Sequence, residues 1–177
     1  MSAMLRQTVL LVTLAAAGTA ASLAAQKPAP LPTGLALPKT ARQALDQKFK
    51  KHWQVAAMDP QAAACRSGGG DPPAFVQADL NGDGQPDIAL AVKADDGVHL
   101  VAILGRMEDS MILDVDTLGQ TTAGGYLGIE RHGTKFKEPD AGLDDYFSAD
   151  TLAVYRCDQP RTVYVWRGAG FTKVVLK

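Results

Sequence analysis

The chain has 177 residues, 46% of them hydrophobic and 21% charged, with 18 basic and 19 acidic side chains for a net charge of −1. That length suits one domain with a sizeable core. Its scattered, near-neutral charge gives no electrostatic footprint for nucleic acid, which leaves that class of binder unsupported.

Residues 1–25 carry one basic residue, Arg6, then an apolar run from Val9 to Ala17 and a small-residue end, Ser22-Leu23-Ala24. The run is too short and too rich in alanine for a bilayer span, so the pattern reads as a secretory signal peptide. No cysteine stands beside Ala24 to take a lipid anchor, and the mature chain is expected in the periplasm or outside the cell. Its removal takes Arg6 and no acidic residue, which moves the net charge to −2. Residues 26–39, QKPAPLPTGLALPK, hold four prolines and read as an extended linker against which little should pack. A single β-rich domain is expected over 40–177.

Thr40 is placed to cap the next segment, in which Ala41, Leu45, Phe49, Trp53 and Ala56 recur at three- and four-residue intervals. The spacing predicts one amphipathic helix running to Asp59-Pro60, with Phe49 and Trp53 as core anchors and Arg42, Asp46, Lys50 and Lys51 facing away. A loop containing Cys65 follows. Cys65 and Cys157 are the two cysteines, an even count that in an exported chain suggests one disulfide; a pair of buried free thiols is the alternative. A bridge would close a loop of about 90 residues, for which chain entropy gives roughly 4 to 5 kcal/mol.

From residue 74 the pattern changes to short runs rich in valine, isoleucine and aromatics between turn residues. Strands are expected at 74–78, 87–93, 98–104, 111–115, 126–130, 151–156, 162–167 and 171–176. Ala94-Asp95-Asp96-Gly97 and Gly168-Ala169-Gly170 suit tight hairpins. Residues 132–150 show no clean period and read as a long surface loop with at most a helical turn. One leading helix and antiparallel strands imply an α+β domain, mostly antiparallel β, as a meander or a small sandwich. The last hairpin is expected either to be buried on both sides or to offer Tyr164, Trp166 and Phe171 to a partner.

The stretch 75–92, FVQADLNGDGQPDIALAV, carries the chemistry. Asp79, Asn81, Asp83 and Asp87 occupy positions 1, 3, 5 and 9 of a calcium loop, and Gln85 at position 7 has a backbone carbonyl to offer. Gly82 and Gly84 supply the freedom to curl. An EF-hand is excluded, because position 12 is Leu90 and the chain continues as a β-branched run. The motif, an apolar strand, Asp-x-Asn-x-Asp-Gly-x-x-Asp and a second apolar strand, resembles the calcium loops of the FG-GAP and VCBS repeat families. That resemblance covers about 20 residues in a single copy, and it implies that Asp79, Asn81, Asp83, the Gln85 carbonyl and Asp87 bind calcium. One copy excludes a propeller.

Other constellations carry less. Glu130 and His132 would share a strand face but lack a third metal ligand nearby. His52 and His99 read as structural, and Glu138, Asp140, Asp144, Asp145 and Asp150 make an acidic loop. No nucleophile elbow, phosphate-binding loop or zinc helix occurs, so no catalytic residue is assigned. The expectation is an exported calcium-binding structural or protein-interaction module with a protein partner in the envelope or outside the cell. The alternatives are an inhibitor or immunity-type protein and a cell-envelope hydrolase.

Overall fold

The computed structural model describes residues 31–59, 61–62, 73–105, 110–120, 125–137, 144–157 and 159–176. The expected signal peptide, residues 26–30 of the expected linker, and Cys65, Glu138 and Asp140 lie outside these residues. The described chain is mostly antiparallel β-sheet with one short helix, α1 at Lys39–Lys48. No helix among the described residues is long and apolar enough to cross a membrane.

All eight expected strands are present, with ends moved by no more than a residue or two apart from the longer fifth strand. They are β2 Phe75–Ala78, β3 Asp87–Ala94, β4 Gly97–Leu104, β5 Met111–Gly119, β6 Gly125–Glu130, β9 Thr151–Arg156, β10 Arg161–Trp166 and β11 Phe171–Leu176. Three short strands were not foreseen: β1 Trp53–Val55, β7 Lys135–Lys137 and β8 Asp144–Tyr146. One sheet runs β1-β3-β4-β5, with β2 also pairing β3. A second runs β11-β10-β9-β6, and β7 and β8 form a separate hairpin. β1 and β2 share one side of β3, β1 against Val92 to Ala94 and β2 against Asp87 to Leu90.

The burial of β3 organises the layers. Ile88, Leu90 and Val92 point to one face and join Leu35, Ala41, Leu45 and Phe49 of the helical side. Ala89 and Ala91 point to the other face and join Leu100, Ala102 and Leu104 of β4 against Leu127, Leu152, Val154 and Tyr164 of the second sheet. Small alanines opposite large side chains let the two sheets approach closely. The far face of the second sheet is covered in turn by Phe136 and Phe147, stacked at 4.4 Å, which pack with Ala153, Val163, Val165, Val174 and Leu176.

Two expectations are corrected, and the alternative left open for the last hairpin is decided. The helix does not reach Asp59: it ends at Lys48, its N-cap is Pro38 with no side-chain cap, and Thr40 lies inside it. The chain turns because Lys50 and Lys51 take φ of +51° and +63°, closing the helix with N–H bonds from Phe49 to Leu45 and from Lys51 to Asp46. Trp53 and Val55, an aromatic and a β-branched residue, then gain a ladder on β3 that a continued helix would forfeit. Asp46, expected to face away, accepts the Trp53 indole N–H at 2.8 Å. Second, the proline-rich segment does pack, since Leu35 is buried and Leu31 and Leu37 lean on the same cluster. An extended proline-rich chain still presents leucines to one side. For the last hairpin the buried alternative holds at Tyr164, which is 1% exposed, and Trp166 and Phe171, partly buried, pack against the inter-sheet core.

Polar ties join the layers. On β5, Asp116 accepts hydrogen bonds from the Tyr164 hydroxyl and the Lys173 ammonium, both at 2.7 Å, so one carboxylate links the two sheets. Burial works to raise its carboxyl group, but the bonds from Lys173 and Tyr164 prevail and hold it below its ordinary value. A depressed carboxylate stabilises the fold fully above the unfolded value, and this contribution is lost as pH falls through the folded one. Asp116→Asn is expected to cost about 1.5–3 kcal/mol at neutral pH. Urea titrations across the acid range should then show a flatter loss of stability below pH 3.8 than in the parent chain.

Candidate metal centre

β2 and β3 pair up to Ala78 opposite Asp87, so the residues between them form the connecting loop. Two apolar features fix its position. Leu80 is 1% exposed and enters the inter-sheet core, while the strand after the loop is buried on both faces. The polar residues are left on the outside.

The loop curls through its own side chains. Asp79 Oδ1 accepts the N–H groups of Gly82 and Asp83 at 2.8 and 3.0 Å, and its Oδ2 accepts that of Gly84 at 2.9 Å. Asn81 Oδ1 accepts the Asp83 N–H at 3.0 Å, and Asp83 Oδ1 accepts the Gln85 N–H at 2.8 Å. The Asn81 amide also donates to Asp83 Oδ2 at 3.0 Å. Gly82 and Gly84 have φ of +82° and +80°, the left-handed conformation this curl requires.

Asp87 behaves differently. It is fully buried, and its oxygens accept the N–H groups of Leu80 and Gly105, each at 2.9 Å. One carboxylate thus ties the loop to the end of β4. Burial pushes its carboxyl group above the ordinary value; the two N–H bonds oppose that shift, and the charges of Asp83 and Asp79 add to it. A cation among these three residues would reverse the last contribution.

The structure therefore gathers Asp79, Asn81, Asp83 and Gln85 on one exposed turn and sets Asp87 beneath it. Among the described residues no group of three or more His, Cys, Asp or Glu is arranged to hold a metal ion on such side chains alone. The donors on the turn are all oxygens, two carboxylates, an amide and backbone carbonyls, a chemistry that suits a hard cation and not a transition metal. The anchoring role of Leu80 was missed in the sequence, although an apolar residue at position 2 of a polar loop was the available signal. The partner of Asp87 at Gly105 had no local signal.

The remaining candidates are occupied elsewhere. Glu130, buried, accepts from the Tyr155 hydroxyl at 2.7 Å and from Arg161 at 2.8 Å, while the His132 side chain is exposed and only its backbone N–H donates to Asp150. His99, also buried, stands between Asp96 at 2.9 Å and Asp114 at 3.3 Å, and its bond holds the Asp96 carboxyl below the ordinary value. His52 reaches Asp95 at 3.1 Å. In the acidic stretch, β7 and β8 form a hairpin where only loop was expected, and Asp150 accepts from Arg131 at 2.9 Å. Cys157 Sγ lies 3.9 Å from the Gln61 carbonyl oxygen.

Comparisons with protein families, with curated proteins and with solved structures find no match.

The two kinds of aspartate on this loop should separate by mutation. Asp87→Ala strands two inward N–H groups and is expected to cost roughly 2–4 kcal/mol, whereas Asp83→Ala on the exposed turn should cost less than about 1 kcal/mol. Chemical denaturation in a metal-free buffer measures both.

Proposed function

We propose that the chain is an exported structural or protein-interaction module whose β2–β3 loop takes calcium. The observation that carries this reading is the nested curl of residues 79–85, in which the oxygen side chains at positions 1, 3 and 5 each accept a backbone N–H from further along the loop. In this reading Asp79, Asn81, Asp83 and the Gln85 carbonyl are ligands. Asp87 contributes through a lone pair that its two backbone bonds leave free. Calcium would supply a fixed positive charge to offset the repulsion among three aspartates, and so tie β2 to β3.

The role is structural. Calcium here would have its coordination taken by loop oxygens, and the imidazoles of His52 and His99 already have carboxylate partners. Location in the periplasm or outside the cell follows from the reading of residues 1–25, and calcium at millimolar level outside the cytoplasm suits a site of modest affinity. A Cys65–Cys157 bridge belongs to the same reading and would fasten the segment after β1 to the end of β9. The partner class is a protein.

Thermal unfolding in EDTA, in millimolar calcium and in magnesium tests the metal. A site filled to about 100 times its dissociation constant adds roughly 2.7 kcal/mol, a rise of several degrees in the midpoint. The rise is expected with calcium and not with magnesium, and it should vanish in Asp83→Ala while the midpoint in EDTA stays near the parent value. A full calcium response in that variant refutes the ligand assignment.

A further inference from the structure

The other unexplained feature is the outward face of α1. Lys39, Arg42, Gln43, Asp46 and Gln47 fall within one arc of the helix, opposite the buried Ala41 and Leu45, and Lys50 continues that arc past the helix end. An open groove along this face is lined by Gln43, Asp46, Gln47, Lys50 and Lys51. Among the described residues, Lys39, Arg42, Lys50 and Lys51 are exposed and in no ion pair, whereas Lys48, toward the core side, reaches Asp114 at 3.0 Å. The single acid on the arc, Asp46, is engaged by the Trp53 indole.

Backbone strain sharpens the case. Lys50 and Lys51 are the only residues other than glycine with positive φ among those described. A helix ending this way normally places glycine at the first left-handed position, since a Cβ is disfavoured there. Two successive lysines keep a conformation that glycine would adopt more easily, and both project into the groove face. Strain of this kind persists at binding sites more often than at plain turns.

We infer that the outer face of α1 and its C-terminal turn form a docking surface for an anionic polysaccharide. Two cations on the first turn of the helix, Lys39 and Arg42, and two on the turn that closes it, Lys50 and Lys51, match charge repeated along a chain, and the interleaved Gln43 and Gln47 amides can donate to and accept from sugar hydroxyls. The arc carries no aromatic or aliphatic side chain to enter a bilayer or to anchor a protein interface. The helix spends its apolar residues on the core instead.

The test is calorimetric titration of the purified protein with a heparin fragment as the sulfated-glycan probe, with neutral dextran and anionic phosphatidylglycerol vesicles alongside. Saturable heparin binding that weakens with salt is expected, with no response to dextran. The double variant Lys50→Gly/Lys51→Gly should lose affinity by about fivefold or more, while its thermal midpoint stays level or rises. Lys135→Gln/Lys137→Gln, which removes two exposed lysines from the β7–β8 hairpin, should bind as the parent does. Absence of heparin binding at physiological salt overturns the proposal. So does full affinity in the glycine variant, an equal loss in the hairpin variant, or a preference for the vesicles.

Discussion

Burial of β3 on both faces is the constraint from which the rest of the architecture follows. A strand with water on one side needs only one covering layer, but Ile88, Leu90 and Val92 face one way while Ala89 and Ala91 face the other, all of them buried. Each set needs its own cover. The helix and the leucines of the proline-rich segment supply one, and the second sheet supplies the other. The second sheet then has an outer face of its own, which the Phe136 and Phe147 stack closes.

The same strand begins with the most deeply buried polar side chain among the described residues. Asp87 lies where an apolar layer would be expected, and it is tolerated because two backbone N–H groups, from Leu80 and Gly105, meet its oxygens. Those bonds connect the β2–β3 loop to the far end of β4, so the loop is held at its base while its tip is held by Asp79. The curl concentrates negative charge on a short turn, with N–H dipoles as its compensation. The turn satisfies itself through these bonds, and the calcium reading proposed above rests on the oxygen lone pairs that they leave free.

Away from the loop, carboxylates act as fasteners between layers. Asp116 joins β5 to β10 and β11, and Glu130 is held between Tyr155 and Arg161 on the second sheet. Tyr155 itself lies over Gly128, where any Cβ would approach its ring to 2.5 Å, so the absence of a side chain at that position makes room for the phenol that satisfies Glu130. His99, between Asp96 and Asp114 and beside the Phe49 ring at 4.9 Å, joins the helix end to β4 and β5 in a comparable way. Glu130 and His99, which invite a catalytic reading in isolation, thus each hold a structural position.

Local pattern determined a good deal on its own. Runs of β-branched and aromatic residues between glycine and aspartate turns located eight strands, and the alternation of Asp79, Asn81 and Asp83 with two glycines located the curled loop, because both signals depend only on near neighbours. Tertiary structure decided what depends on distant partners. The helical period through Trp53 was real, yet β3 offered Trp53 and Val55 a ladder, and the helix stopped at Lys48. Tyr164 was buried because Asp116, 48 residues away, met its hydroxyl. Asp87 became a buried anchor because Gly105, 18 residues on, turned its N–H inward. A sequence shows which groups need partners; only the packed chain decides which partners they find, since a hydrogen bond buried between layers is worth making only where both halves are already held.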